Sequence, residues 1–196
     1  MTTINSDQVK ELRKRTGMGM MKCKKALEES DGDIEGAVKV LRKSDSKIAD
    51  KKSDRAALEG TIGYYVHNNG KVGVLVELNC ESDFVAKNEE FKELAHDLAM
   101  HIAASDPRYI EFGEIEKKVI EEEIEKFKDQ FKEEGKQEEI LDKISKEKAK
   151  KYFSDLCLVS QPFVKDPTKT IGDLLVEKIS KLGENIKVKR FVRYEL

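Results

Sequence analysis

The sequence predicts an α+β protein that is mostly helical, and three observations lead to that fold class. Apolar residues recur with the helical period through most of the chain. The period changes to two near residues 62–80 and again near 186–196. An Asn-Gly pair stands inside the first alternating region, and this pair is the strongest short signal of a hairpin. We therefore expect a small antiparallel sheet packed with helices.

Residues 1–45 are predicted to form three short helices that close one small core. Ser6 is placed to cap the first helix, Gly17 to end it, and Asp33 to cap the third. The second helix is expected from about Met20 to Ser30. The inward-facing residues of the three helices follow the amphipathic template and are Val9, Leu12, Cys23, Ala26, Leu27, Ile34, Ala37, Val38 and Leu41.

A charged segment with few large apolar residues follows, and we interpret 46–60 as a linker with some helical character in its second half. The core domain then occupies 61–196. In it, a strand at 62–67 and the turn HNNGK at 67–71 begin a hairpin. Its return strand directs alternate residues to one face: Val72, Val74, Val76, Leu78 and Cys80. Leu75 predicts partial cover of the opposite face.

Helices and a last strand complete the predicted core domain. Asn88 is placed to cap a helix whose apolar stripe is Phe91, Leu94, Ala95, Leu98, Ala99 and Ile102. Two long charged helices at about 114–153 are expected to form an antiparallel hairpin that turns at Gly135. The apolar seam between them is predicted to contain Ile120, Ile124, Phe127, Phe131, Ile140, Leu141, Ile144, Tyr152 and Phe153. A capping box of Thr170 and Asp173 begins the last helix.

The composition restricts the classes of function. The 39 acidic residues nearly balance the 37 basic ones, and the net charge of −2 leaves no basic stripe for nucleic acid. The polar beginning of the sequence lacks the apolar stretch of a secretory signal, and no apolar run is long enough to span a membrane. Three widely spaced cysteines predict free buried thiols. We expect a soluble cytoplasmic protein without direct nucleic-acid or membrane contact.

The sequence carries no motif of an enzyme active site. It has no phosphate-binding loop, no serine-hydrolase elbow and no zinc-protease helix, and its histidines never pair with cysteines at a zinc spacing. The Gly17-Met18-Gly19 stretch follows a helix and lacks the third glycine of a dinucleotide site. We therefore expect no covalent chemistry, no metal and no cofactor.

The stretch ESDFVAK connects a predicted core strand to a predicted core helix, and such corners often carry function. A phenylalanine after a strand is more often part of the core. Two details oppose that interpretation of Phe84: Phe91 already begins the stripe of the next helix, and Asp83 is unsuited to an apolar pocket. The adjacent Met20 and Met21 cannot both face one helical core, so at least one is expected to be exposed.

Five stretches resemble the family of bacterial-type translation elongation factor Ts. They are RTGMGMMKCKKALEESDGDIEGAVKVLRKS, NCESDFVAKNEEF, MHIAAS, QPFVKDPTKT and GENIKVKRFVRYEL, in family order across the whole chain. The length is similar to that of the short form, with one core unit instead of two. The resemblance implies a guanine-nucleotide exchange factor that binds GDP-bound and nucleotide-free elongation factor Tu and promotes GDP release.

The resemblance also implies structural details and roles for particular residues. The first module would be of the ubiquitin-associated type, the long hairpin a projecting coiled coil, and the single core unit would form a homodimer. The corner Ser82, Asp83, Phe84 and Val85 would disturb the magnesium and phosphate site of the partner. The residues that would dock on the partner are Arg13, Met20, Met21 and, at the hairpin tip, His67.

Two positions depart from the family pattern, and two other functions stay open. Ser82 keeps the hydroxyl of the usual threonine, whereas Lys22 replaces a usual acid and changes the charge of the docking surface. The first alternative is a protein-binding module of the ubiquitin-associated type on a helical scaffold, without exchange activity. The second is a nucleic-acid protein that uses the basic residues of the last strand, Lys187, Lys189, Arg190 and Arg193.

Overall fold

A computed structural model describes residues 4–132 and 138–196, and it is mostly helical with a small antiparallel sheet, as predicted. The elements follow in this order: α1 (Ser6–Thr16), α2 (Met20–Glu29), α3 (Ile34–Asp50), β1 (Glu59–Val66), β2 (Val72–Cys80), α4 (Asp83–Ala86), α5 (Glu89–Ser105), α6 (Lys117–Lys132), α7 (Glu138–Leu156), β3 (Pro162–Phe163), β4 (Asp166–Thr170), α8 (Ile171–Leu182) and β5 (Lys187–Glu195). Among these described helices, none combines the length and the apolar character needed to cross a membrane.

The chain divides into two compact units. The first contains Met1–Gly60, Asn79–Ala86 and Leu175–Lys187, and the second contains the remaining segments, Thr61–Leu78, Lys87–Leu174 and Val188–Leu196. The end of β2 and most of α8 therefore group with the N-terminal helices. The functional division at 1–45, 46–60 and 61–196 stays a prediction.

In the first unit, α1, α2 and α3 enclose the predicted core. Most of the expected residues are buried, and Ile34 and Val38 are partly buried against them. Asp33 caps α3 and Gly17 ends α1 with a positive φ of 68°, as predicted. The prediction that Ser6 caps α1 is wrong, because the side chain of Asn5 accepts the hydrogen bond from the backbone of Asp7 and Ser6 already lies within the helix.

The segment interpreted as a linker differs from the prediction in its helical part. Helix α3 continues to Asp50, so only 46–50 is helical, and β1 begins at Glu59 near the end of the segment. Asp45, in the last two turns of this helix, is buried and accepts a hydrogen bond from Ser180 Oγ at 2.6 Å. Burial raises the pKa of Asp45, and the hydrogen bond from Ser180 and the positive charge of Lys22 partly offset this increase. Helix α3 is thereby joined to α8.

In the second unit, β2 lies between β1 and β5. The predicted hairpin is confirmed, because the His67 N–H donates to the Val72 carbonyl across a turn with Gly70 at a φ of 67°. On the inward face of β2, Val74, Val76, Leu78 and Cys80 are buried as expected and Val72 is half-buried, and the stripe of α5 is buried. Leu75 on the opposite face is 49% exposed, so the described chain covers that face only in part, as predicted.

Helices α6 and α7 pack against each other, and Lys128 of α6 lies 2.9 Å from Asp142 of α7. The proposed turn residue, Gly135, lies outside the described residues. The seam of α6 is half-buried as predicted, but the prediction for Ile140 of α7 is wrong, because its side chain is exposed. Tyr152 is partly exposed, and its ring lies edge-on to Phe127 of α6 with the centroids 6.2 Å apart, which is the predicted contact. The buried residues in the described part of α7 recur every four positions, at Leu141, Ser145, Ala149 and Phe153, and two of them, Leu141 and Phe153, were predicted.

The contact between β1 and α5 gives a stability prediction. A Cβ added at Gly63 would lie 2.5 Å from the Ala95 carbonyl oxygen, whereas one added at Gly73 in the neighbouring strand would meet nothing within 4 Å. We expect Gly63→Ala to lower the free energy of unfolding by about 1–3 kcal/mol, because the backbone must shift. Gly73→Ala should change it by less than about 0.5 kcal/mol. Urea unfolding of both variants checks this, and equal effects would contradict the close packing.

Candidate functional site

The corner between β2 and α5 contains a short helix that the sequence did not predict. Strand β2 ends at the buried Cys80, and α4 follows over Asp83–Ala86. Ser82 caps this helix: its Oγ accepts from the Val85 N–H at 3.4 Å, and its carbonyl accepts from the Ala86 N–H at 3.2 Å. The corner therefore closes one helical turn immediately after a core strand.

Phe84 is the most exposed large side chain of this corner. It is 84% exposed, which confirms the expected exposure and shows that a core role for Phe84 is wrong. Asp83 is also exposed, whereas Ser82 and Val85 are half-buried. The predicted corner residues thus separate into two that face solvent and two that support them.

Glu184, which sequence reasoning did not identify, holds the beginning of the corner. Its Oε2 accepts from the backbone N–H groups of Glu81 and Ser82, each at 3.0 Å, and its Oε1 accepts from Ser82 Oγ at 2.5 Å. In return, Glu81 Oε1 accepts from the Asn185 N–H at 2.6 Å. These contacts join residues about a hundred positions apart, so no local sequence pattern could have revealed them.

The thiol of Cys80 belongs to the same arrangement. Its Sγ donates to the Ser82 carbonyl oxygen at 3.2 Å. Burial, and secondly the nearby negative charge of Glu184, raise the pKa of Cys80 to about 11. The thiol therefore stays protonated at neutral pH and keeps its donor hydrogen. Cys23, Cys80 and Cys157 are all free and buried, as predicted.

The predicted docking residues Arg13, Met20 and Met21 flank the turn between α1 and α2 in the first unit. All three are exposed, and the two methionines are 56% and 77% exposed. The sequence required only one of them to be exposed. Met18 in the same turn is buried and fills the three-helix core in their place.

Lys22 is directed toward its own chain. Its Nζ donates to Ser180 Oγ at 3.0 Å and lies 3.9 Å from the Asp45 carboxylate. Part of its charge is therefore balanced by a buried acid within the first unit. This explains how a cation is accommodated beside the exposed methionines.

His67 belongs to the second unit, so the predicted site residues are divided between the two units. It is exposed at the end of β1, and its Nδ1 lies 3.1 Å from the Tyr65 hydroxyl. Within the described ranges, no group of three or more histidines, cysteines and carboxylates is arranged to hold a metal ion. The corner presents an exposed aromatic on a fixed turn, an arrangement suited to contact with another protein.

Comparison with known proteins gives one family. The sequence model of the family described as Elongation factor TS matches residues 17–196. Elongation factor Ts of Carboxydothermus hydrogenoformans is 50% identical over 193 residues, which cover 98% of this chain and 89% of the relative. The proteins of the same name from Thermodesulfovibrio yellowstonii and Thermosipho melanesiensis are 51% and 52% identical, with coverage of 98% and 97% of this chain and 96% and 97% of the relatives. The chain belongs to the elongation factor Ts family.

Proposed function

We propose that this chain, as a guanine-nucleotide exchange factor, releases GDP from elongation factor Tu by pressing Phe84 against the partner's magnesium and phosphate site. The observation that carries this proposal is the 84% exposure of Phe84 on a one-turn helix that directly follows a core strand. A large apolar side chain in that position stabilises its own fold little, so its contact area is available to a partner. The proposal places the chain in the cytoplasm.

Phe84 would act as a wedge, that is, an exposed side chain that displaces the partner's residues around the magnesium ion, and a small displacement would be enough. Magnesium demands nearly ideal octahedral geometry, so a small displacement of the partner's residues weakens the ion and the phosphates it bridges. Phenylalanine suits this task because it buries a large area and has few rotamers to order. Asp83 is exposed beside it and faces the same partner surface, while Ser82 and Val85 hold the turn.

The three-helix module at 1–45 would dock the chain on the nucleotide-binding domain of Tu. Arg13 supplies a charge, and Met20 and Met21 supply flexible apolar contact beside the same turn. His67 adds a contact from the hairpin in the linked core domain, 61–196. We assign the module to the ubiquitin-associated type and the α6–α7 pair to a coiled-coil hairpin, on the basis of the family.

Exchange needs no covalent chemistry, because it follows from linkage between two ligands. If the chain binds nucleotide-free Tu better than nucleotide-bound Tu, then it weakens GDP binding by the same factor by which GDP weakens the complex. If Phe84 occupies space at the metal site, the chain and magnesium-bound GDP compete for it. The chain then binds nucleotide-free Tu better than nucleotide-bound Tu.

Phe84→Ala separates the wedge from a structural role. We expect the variant to change the free energy of unfolding by less than about 0.5 kcal/mol, because the side chain is exposed. GDP release from Tu should slow by roughly 10-fold or more, because the group that strains the metal site is gone. Stopped-flow release of a fluorescent GDP and urea unfolding of the same sample measure both effects.

Phe91 provides the matched control, since it is a phenylalanine of the next helix with no exposed surface. Phe91→Ala should lower the free energy of unfolding by about 3–5 kcal/mol. Normal GDP release by a well-folded Phe84→Ala variant would end the wedge proposal. So would a loss of stability comparable with that of the control.

The chain is also proposed to form a homodimer through the outer face of its sheet. The apolar residues exposed on this face are Ile62, Tyr64, Val66, Leu75, Val192 and Tyr194. On the sheet, Glu77 pairs with Arg190 of the same chain at 2.7 Å. Because these opposite charges neutralise each other, they would not repel the same pair in a second copy. A second copy suits the face because two such sheets can pack as a sandwich, and because the short form has one core unit where the long form has two.

Light scattering tests the dimer. We expect twice the mass of the 22.4 kDa chain at micromolar concentration, and Leu75→Glu should shift it to the monomer because the charge would be buried between the sheets. Ile140→Glu is the matched control, since Ile140 on α7 is exposed to the same extent as Leu75. A monomeric parent chain, or equal dissociation by both variants, would remove this proposal.

A further inference from the structure

We infer that Glu184 is a positioning residue for nucleotide exchange: it fixes the corner so that Phe84 meets the partner already oriented. This inference rests on the proposed function and deepens it. Glu184 is placed to act on Phe84 indirectly, through Ser82, the residue that caps α4.

The helix that carries Phe84 is too short to hold its own shape. Four residues form a single turn, and the first turn of a helix is unfavourable without outside support. The Ser82 hydroxyl supplies that support by accepting from the Val85 N–H while it donates to Glu184 Oε1. The carboxylate therefore determines where the hydroxyl points, and the hydroxyl determines where the turn begins.

The same carboxylate also fixes the backbone before the helix. The N–H groups of Glu81 and Ser82 both donate to Glu184 Oε2. Hydrogen bonds to an ionised acceptor are roughly twice as strong as those between neutral groups. Three such bonds from two adjacent residues leave the chain little freedom to rotate ahead of Asp83.

The backbone on both sides of Glu184 is also held by hydrogen bonds. Asn185 is buried, and its side-chain amide donates to the carbonyls of Ser53 and Arg55 at 3.3 and 2.7 Å. The carbonyl of Gly183, on the opposite side of Glu184, accepts from Lys52 Nζ. Glu184 thus reaches the corner from a backbone that is itself held on both sides within the first unit.

A wedge that is ordered before binding differs from one that must be ordered on binding. Without Glu184, the corner would adopt several conformations in the free chain, and the partner contact would have to select one. Docking through the α1–α2 surface would persist, because Arg13, Met20 and Met21 make no use of Glu184. The loss should therefore appear in the maximal rate of GDP release more than in the concentration that gives half of it.

The test is the kinetics of GDP release at increasing concentrations of the chain carrying Glu184→Ala. We expect kcat to fall about 10- to 100-fold, as is typical when a reacting group is misplaced, while KM stays within about 3-fold of the parent value. Glu122→Ala is the control, because it removes an exposed carboxylate of α6 that pairs with Lys118, and kcat should be unchanged. Equal effects of the two variants, or a change confined to KM, would overturn the inference.

The Ser82 hydroxyl and the double variant distinguish positioning from loss of structure. Ser82→Ala should slow release in the same direction, and Ser82→Thr, which keeps the hydroxyl, should restore it. Adding Glu184→Ala to Phe84→Ala should slow release by no more than about 2-fold further, because a residue that acts through the wedge has nothing left to position. If the rate reduction in the double variant equalled the product of the two single reductions, the inference would be overturned.

The outcomes also separate this inference from the proposed function. Normal release by Phe84→Ala would remove the wedge whatever Glu184 does. Slow release by Phe84→Ala with normal release by Glu184→Ala would remove only the positioning role. If Glu184→Ala melts below the assay temperature, Glu184→Gln carries the same test, since it keeps one acceptor oxygen but turns an N–H₂ group toward the backbone donors.

Discussion

The carboxylate of Glu184 accepts three hydrogen bonds from Glu81 and Ser82, and the shape of the chain around Phe84 depends on that contact. Strand β2 leads from a buried core to the corner, and its last residue, Cys80, donates one hydrogen bond to the Ser82 carbonyl oxygen. The three bonds hold Ser82, two residues after the strand, in position to cap the helical turn of α4. A core strand thereby becomes a rigid support for an exposed aromatic side chain.

The corner adds little to the stability of the fold and depends on its neighbours for its shape. An exposed phenylalanine adds little to folding, and a one-turn helix is unstable alone, so both persist only because neighbouring contacts hold them. Those contacts are polar and lie within one compact unit, from residues 53–55, 81–82 and 183–185. The aromatic surface is left uncovered, which is the condition for burying it in another protein.

Patterns that are local in the sequence predicted most of the fold. The alternation of Val74, Val76 and Leu78 located the core strand, and Asn88 located the start of α5, because each pattern is read within a few residues. The exposed face of α7 was misjudged at Ile140, because charged helices with a narrow seam allow more than one register. In the candidate site, Asp83 and Phe91 indicated that Phe84 is exposed, and the family resemblance supplied its proposed role. Glu184 could not, because its partners lie about a hundred residues away.

The magnesium dependence of GDP release tests the central claim most directly. Release from Tu should be measured with the parent chain and with Phe84→Ala, from excess magnesium to full chelation. If Phe84 acts on the metal site, the two rates should differ most in excess magnesium and converge when the ion is removed, because no metal is then left to displace. A ratio of rates that stays constant at every magnesium concentration would contradict the claim, since Phe84 would then act elsewhere on the partner.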